Sequence, residues 1–213
     1  TTSDSIAGFT ADGDVLFTAR RSVPQPLEAA DDGKEGREDK GDDTTTSTTS
    51  DDDDPAALWL LPRSGEARCI LARAGGIGSV VVARGTGTAV IAAPTSPTTG
   101  SEDLDADDAT VRDRSTSKVS AILHDSYPIR FWDHDLGPMA SRLYVADPAT
   151  VSSAADVADR RLELRDVTGH VRGELSEDAT VDVTADGSTI VTDWTVAEAG
   201  ASVRWSIARV DVA

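Results

Sequence analysis

The stretches FTADGDVLFTA (residues 9–19) and VTADGSTIVTD (residues 183–193) carry the same four residues, Thr-Ala-Asp-Gly, beside runs of alternating apolar side chains. An Asp-Gly pair between such runs is a strong signal for a β-hairpin, because glycine adopts positive φ at no steric cost. A looser third copy, VVVARGTGTAVIAA (residues 80–93), has glycines at 85 and 87 in place of the Asp-Gly pair. The sequence therefore predicts three hairpins built on one repeated turn.

Outside two acidic segments, the chain consists of short runs rich in β-branched or aromatic residues, broken by Gly, Asp and Pro. Such runs are typical of strands. Helical periodicity is weak everywhere except over 151–161. The sequence therefore predicts an all-β chain. Its strands are expected at 15–19, 58–62, 69–72, 79–83, 89–93, 142–146, 162–167, 181–183, 189–194 and 203–210.

Each predicted hairpin is followed by a strand with an aromatic residue, Trp59, Tyr144 or Trp205, and the first two of these are followed by a closing strand. The repeating unit is thus four antiparallel strands. With the acidic segment between them set aside, the first two hairpins lie 45 residues apart, and four-stranded propeller blades repeat at about 40–50 residues. We therefore predict that residues 1–213 contain roughly two to three four-stranded antiparallel blades of a β-propeller. Because a closed ring needs more blades than this, the chain is expected to form only part of the propeller.

The net charge of −18 is concentrated in two long acidic loop insertions. Residues 28–54 hold twelve acids against three bases and almost nothing that could be buried, so a disordered insertion is expected there. Residues 95–117 form a second acidic insertion, expected to be solvated, with a short helix over 103–114 as the alternative. The acids at 103, 105 and 107 resemble the start of a calcium loop, but the glycine and glutamate that such a loop needs are missing.

Several classes of function are excluded by composition. No basic face is available for phosphates, so nucleic acid is not an expected partner. No apolar run approaches the roughly 18 residues of a membrane span, and the first residues do not form a signal peptide. The one cysteine, Cys69, is interpreted as a small apolar strand residue. We expect a cytoplasmic protein without membrane association. The sequence is compatible with a homo-oligomer.

The most distinctive stretch is ILHDSYPIRFWDHDLGPMASRLYVADP (residues 122–148). It resembles the propeller of bacterial, especially actinobacterial, serine peptidases of the prolyl oligopeptidase family, including acylaminoacyl-peptidase-like and dipeptidyl-aminopeptidase-like members. FTADGDVLFTARR followed by an acidic loop and ALWLLP is similar to that group as well. We interpret residues 121–141 as an inter-blade motif segment. The matching positions are His124, Tyr127, Pro128, Arg130, Trp132, Asp133, His134, Asp135, Leu136, Gly137 and Pro138.

The resemblance implies a role in peptide-bond hydrolysis without a catalytic residue in this chain. In that family the propeller is joined to an α/β-hydrolase domain whose nucleophile lies on a G-x-S-x-G elbow. GIGSVVV (residues 76–82) does not fit that pattern. The chain is then expected to gate and orient a peptide substrate for a hydrolase domain of the same gene product, with no cofactor. The alternatives are a stand-alone propeller that binds a peptide or protein, and a lectin-like propeller that binds sugar or metal.

The candidate site residues lie in the motif segment. Tyr127, Arg130 and Trp132 fall outside the strand repeat and are the best candidates for a functional surface or a domain contact. Asp133, His134 and Asp135 have metal-ligating groups, and the two carboxylates would converge in an extended chain. Turn formation explains these three residues better, so no metal site is predicted. The aromatics on the repeat are expected in the core, because propeller sheets pack face to face. They are Trp59, Tyr144, Trp194 and Trp205.

Overall fold

The computed structural model describes residues 4–21, 55–96, 99, 103–118, 121–122, 129–131, 134–135, 137, 139–154, 162–169, 173–176, 178–199 and 202–212. This part of the chain is mostly β. In chain order its elements are β1 (Ser5–Phe9), β2 (Val15–Ala19), β3 (Ala57–Leu61), β4 (Arg68–Leu71), β5 (Val80–Val82), β6 (Ala89–Thr95), α1 (Leu104–Thr116), β7 (Arg130–Phe131), β8 (His134–Asp135), β9 (Ala140–Ala146), α2 (Pro148–Ala154), β10 (Arg165–Asp166), β11 (Glu174–Leu175), β12 (Val181–Val183), β13 (Thr189–Glu198) and β14 (Ser202–Asp211).

The three predicted hairpins are confirmed: β1 pairs with β2, β5 with β6 and β12 with β13, each antiparallel. All three turns close in the same way, with a glycine N–H donating to a carbonyl three or four residues earlier. The bonds run from Gly13 to Thr10 (3.0 Å), from Gly87 to Ala83 (2.8 Å) and from Gly187 to Thr184 (2.9 Å). These glycines have φ of +83°, +80° and +74°. The looser third copy therefore uses Gly87 for the conformation that only glycine adopts easily.

The strands form three antiparallel sheets and one small hairpin, β7–β8. Sheet I has the order β1-β2-β3-β4, and sheet II has the order β5-β6-β9-β10. In both, the aromatic third strand and the short closing strand follow the hairpin as predicted, although β10 spans only part of the run 162–167. In sheet III, β13 is central, with β11 and β12 along one edge and β14 along the other. Three sheets of nearly equal design thus follow one another along the chain.

Sheet II lies between the other two sheets because its strands are apolar on both faces, as continuous runs such as AVIAA require. On one face, Ile91 and Tyr144 share a core with Leu58 of sheet I. On the opposite face, Val90 shares a core with Trp194 of sheet III. The sheets therefore stack in the order I, II, III, with two buried interfaces between them.

The first strands of the three repeated hairpins lie beside one another, β1 against β5 and β5 against β12. Their turns also meet. The N–H of Gly85 donates to the carbonyl oxygen of Ala185 at 2.8 Å, and a Cβ on Gly87 would lie 2.8 Å from the nitrogen of Ala11. The three turns therefore form a turn row, which we define as residues 10–13, 84–87 and 184–187.

One prediction about burial is wrong and a second is wrong at two positions. Trp205 was expected in the core but is 60% exposed, because it lies on the face of sheet III that points away from sheet II. The acidic insertion 95–117 was expected to be solvated, and most of residues 103–118 are exposed. However, Thr95 ends β6, and Asp107 and Asp108 of α1 are buried. The helix that was its alternative is confirmed. The insertion 28–54 lies outside the described residues.

Candidate functional site

The structure describes only part of the predicted motif segment. Tyr127, Trp132 and Asp133 lie outside the described residues, as does His124. The described part forms the β7–β8 hairpin. In its backbone register, Arg130 lies opposite Asp135 and Phe131 lies opposite His134. Arg130 is exposed. The structure therefore brings the backbone of three of the six predicted site residues together at one hairpin, and it puts one guanidinium at the surface.

Both ends of the segment are held against the body of the protein. At its start, the Arg114 guanidinium of α1 donates to the carbonyl oxygen of Ala121. At its end, the methyl group of Met139 lies 3.8 Å from the position that a Cβ would take on Gly75, and Pro94 packs at the same glycine. The loop that links sheet I to sheet II thus lies near the end of the segment, while α1 holds its beginning.

The formation of α1 follows from its acidic residues. Asp103 precedes the helix, and its side chain accepts a hydrogen bond from the Ala106 N–H at 2.9 Å. Asp105 and Asp107 lie in the first turn and Arg114 in the last, which suits the positive amino end and the negative carboxyl end of the helix dipole. The acidic residues that were expected in a solvated loop therefore stabilise the start of a helix.

A buried ion cluster anchors α1. The Arg73 guanidinium donates to Asp107 at 2.5 Å through Nη2 and to Asp108 at 3.1 Å through Nε. The side chains of Arg73 and Asp107 are only 2% and 0% exposed. Asp108 also accepts from the backbone N–H of Ala74 at 3.2 Å. Because charges this deep are costly unless they are paired and hydrogen-bonded, the cluster determines how α1 sits against the loop after β4.

The same cluster reaches the end of β6. Asp107 accepts from the Ser96 N–H at 2.6 Å and from the Thr99 hydroxyl at 3.0 Å. Nearby, the Thr95 hydroxyl and the Tyr144 hydroxyl are 2.7 Å apart, both buried. Burial raises the pKa of Tyr144 above its ordinary value, an effect that the bond to Thr95 partly offsets. One aspartate of α1 therefore connects the helix to the loop after β4 and to the end of β6.

The cluster serves to hold structure rather than to react. Its groups are covered, and among the described residues Arg73 Nη1 and Trp59 Nε1 are buried side-chain atoms without a hydrogen-bond partner. A covered guanidinium has no route to a peptide. Sequence reasoning missed Arg73, since nothing in the local sequence ILARAGG distinguishes it from a surface arginine.

Besides Tyr144, two carboxyl groups of sheet III have shifted pKa values. Asp186, in the turn of sheet III, accepts bonds from the Thr184 hydroxyl (2.6 Å) and from the Ser188 N–H (3.0 Å) and hydroxyl (2.8 Å). These bonds lower the pKa of Asp186 to about 2. Burial raises the pKa of Glu174, against the smaller opposing effect of Arg142. The two groups lie on sheet III and serve different roles, one in a turn and one at a sheet edge.

A metal site finds no support in the part of the chain that is described, where no three His, Cys, Asp or Glu side chains come together. The calcium-loop interpretation of residues 103–114 fails because these residues form α1 with Asp103 as its cap. Neither described helix is long and apolar enough to cross a membrane. No family model matches the chain, and a search of curated proteins returns no match.

Proposed function

We propose that this chain is the propeller portion of a prolyl-oligopeptidase-family serine peptidase, in which it gates and orients peptides for an α/β-hydrolase domain outside these residues. The observation that carries the proposal is the stack of three sheets in which the first strands and the turns of the three repeated hairpins lie side by side. Blades of a propeller are arranged in that way around an axis. The resemblance of residues 122–148 to the family's motif supplies the choice of family.

The arc formed by three such sheets is open. Each inner sheet interface is buried, while the outer face of sheet III exposes Trp205 and Ile207, as expected of a blade with a missing neighbour. On the outer face of sheet I, Phe17 and Trp59 are buried. A closed ring over a hydrolase site would admit short or unfolded peptides and exclude folded domains. Selectivity of this kind comes from the size of the opening and from charges that orient the substrate.

Arg130 is the proposed orienting group. It lies exposed on β7, in the motif segment, whose two ends are held by α1 and by the loop around Gly75. A guanidinium binds a peptide carboxylate or carbonyl through well-directed hydrogen bonds. In this proposal the insertion between β6 and β9 therefore carries a substrate contact.

The test uses the intact gene product. A fluorophosphonate probe should label a serine outside these 213 residues, and the protein should hydrolyse short peptides. Arg130→Ala should raise KM for short peptides about tenfold with little change in kcat, since the contact orients the substrate without taking part in the reaction. Arg112→Ala, an exposed arginine of α1, is the matched control. Labelling within these residues, or absence of any labelled serine, would overturn the proposal.

The exposed apolar faces favour a second candidate, a stand-alone binding module for a peptide or protein partner. Trp205 and Ile207 are 60% and 77% exposed on sheet III, and surfaces of this kind often bind other proteins. This candidate predicts a bound partner and no peptide hydrolysis by the gene product. The labelling experiment separates the two, because only the peptidase contains a reactive serine.

A further inference from the structure

The two Thr-Ala-Asp-Gly turns contain the same chemically labile bond. At an Asp-Gly bond the glycine nitrogen can attack the aspartate side chain, because glycine has no side chain to hinder the approach. The bonds Asp12-Gly13 and Asp186-Gly187 share the two preceding residues, and in both turns the glycine N–H donates to the threonine carbonyl oxygen. Both aspartates are exposed. A difference in reactivity between them therefore comes from the groups around each turn.

The carboxylate of Asp186 is held inside its own turn. It accepts hydrogen bonds from the Thr184 hydroxyl at 2.6 Å and from the N–H and hydroxyl of Ser188 at 3.0 and 2.8 Å. Attack on Cγ requires the carboxyl group to rotate toward the Gly187 nitrogen, and the three bonds oppose that rotation. Because the pKa of Asp186 is lowered to about 2, little of the neutral acid is present from which water can leave.

The carboxylate of Asp12 is not held in this way. The N–H of Asp14 is equivalent to that of Ser188, but it donates to the Thr10 hydroxyl at 3.1 Å instead of to the turn aspartate. In the described part of the chain, Asp12 accepts one hydrogen bond, from the Ser152 hydroxyl of α2 at 3.0 Å. Its carboxyl group therefore reaches Gly13 once a single bond breaks.

A cation lies beside the first glycine. The guanidinium carbon of Arg63 is 2.8 Å from the position that a Cβ would take on Gly13. The same position on Gly187 faces the neutral hydroxyls of Thr88 and Thr86, at 2.7 and 3.0 Å. The attacking group is the glycine nitrogen after it has lost its proton, and a nearby positive charge favours that anion. The surroundings therefore favour reaction at the first turn over the third.

We propose that Asp12 is a site of spontaneous isoaspartate formation in the folded chain, whereas Asp186 is protected. The deprotonated nitrogen of Gly13 forms a bond to Cγ of Asp12, and one carboxyl oxygen leaves as water. Water then adds to the resulting cyclic imide and breaks one of its two C–N bonds. When the bond to the main-chain carbonyl breaks, residue 12 is linked to Gly13 through its side chain. One water is lost and one is gained, so the mass is unchanged.

The modified residue would lie where the first turn meets two other parts of the chain. Isoaspartate lengthens the main chain by one methylene and displaces the carboxylate that accepts from Ser152 of α2. The adjacent Ala11 nitrogen is 2.8 Å from the position that a Cβ would take on Gly87, so the lengthened turn lies against the second turn of the turn row. Modification of Asp12 should therefore loosen the contacts of the first turn with α2 and with sheet II.

The experiment follows isoaspartate at both sites while the purified chain is kept at neutral pH and body temperature. Mass spectrometry of digested samples, with electron-transfer fragmentation, distinguishes the two isomers at each position. In the folded chain, isoaspartate should form at Asp12 about tenfold or more faster than at Asp186, because the bonds to the Asp186 carboxylate must break first. In urea the two sites should react at similar rates, since they share their local sequence.

Removal of the cation tests the role of Arg63. Arg63→Gln should slow the reaction at Asp12 about threefold or more in the folded chain, because the glycine anion loses its neighbouring charge. The rate in urea should not change. Arg112→Gln, at an exposed arginine of α1, is the matched control and should leave both rates unaltered. Circular dichroism confirms that each variant is folded.

Removal of the hydrogen bonds tests the protection of Asp186. Thr184→Val combined with Ser188→Ala should accelerate isoaspartate formation at Asp186 and leave Asp12 unaffected. A rate at Asp186 that equals or exceeds the rate at Asp12 in the folded chain would overturn the proposal. The same ratio of rates in urea as in the folded chain would also overturn it. Because neither turn is used in the proposed peptidase role, failure here would leave the labelling experiment unaffected.

Discussion

The N–H of Gly85 donates a hydrogen bond to the carbonyl oxygen of Ala185 at 2.8 Å, and this bond joins the second and third turns of the turn row. The two residues are 100 positions apart in the sequence. The bond requires the two backbones to approach closely, which a side chain at position 85 would prevent. The contact between sheets II and III is therefore made by backbone atoms as well as by the apolar core.

Gly85→Ala tests this close approach. The new Cβ would lie 2.6 Å from the carbonyl oxygen of Ala185, which is a backbone atom that cannot move aside cheaply. We expect a loss of about 1–3 kcal/mol in the free energy of unfolding, measured by urea denaturation. Gly137→Ala is the control, because its nearest neighbour would be 3.9 Å away. Equal stability of the two variants would mean that the turns are not in contact.

The buried ion cluster can be tested by removing its cation. Arg73→Met leaves two buried carboxylates without their partner and should cost about 3–5 kcal/mol of unfolding free energy. Arg112→Met removes a 64% exposed arginine that lies 3.9 Å from Asp108, so it should cost no more than about 1 kcal/mol. Urea denaturation of both variants gives the comparison.

A second substitution in the cluster distinguishes the cost of an unpaired buried charge from the cost of altered packing. Adding Asp107→Leu to Arg73→Met should recover part of the lost stability, since a matched apolar pair avoids the unpaired buried charge. If the double variant is less stable than Arg73→Met by the full cost of Asp107→Leu alone, the two residues are not coupled. That result would contradict the anchoring role of the cluster.

Asp186 makes the turn of sheet III sensitive to acid. Its folded pKa of about 2 lies below the ordinary value of 3.8, so the folded chain binds this proton less readily than the unfolded chain. The stability it contributes is present above about pH 4 and is lost as the pH falls through about 2. A carboxyl-carbon NMR titration should find the midpoint near 2, and Thr184→Val should move it upward. A midpoint near 3.8 in the unaltered chain would contradict the hydrogen-bonding described.

Ionisation of Glu174 should lower the stability of the folded chain, whereas ionisation of Asp186 raises it. Burial raises the folded pKa of this carboxyl above the ordinary 4.5, so the folded chain favours the protonated form. Stability is then lost as the pH rises through the region above 4.5, and Glu174→Gln should be more stable than the unaltered chain near neutral pH. Thermal denaturation at pH 4 and pH 7 measures this, with the advantage of the variant expected only at pH 7. An equal difference at both values would show that the carboxyl charge is not involved.

Local sequence was enough to predict the strands and their hairpins. The turns at Gly13 and Gly187 and the period-two alternation of β12 and β13 are encoded by neighbouring residues, because a turn depends on the φ of one glycine and a strand on which side chains share a face. The four-strand order of sheets I and II also followed from the repeat of hairpin, aromatic strand and closing strand, although α1, β7 and β8 separate β6 from its partner β9. These features need no information about distant contacts.

Burial at particular positions was decided by tertiary structure. Trp205 has the same strand context as Trp59, yet one is 60% and the other 8% exposed. Both lie on outer sheet faces, but Trp59 packs with Phe17 and lies under the Arg21 guanidinium. Asp107 and Asp108 have the same chemistry as the solvated acids around them. Their burial is offset by the ion pairs with Arg73, which comes from the loop after β4. Hydrophobic pattern and turn chemistry are properties of the local chain, whereas the partner of a buried charge and the cover of an apolar face come from residues far away in sequence.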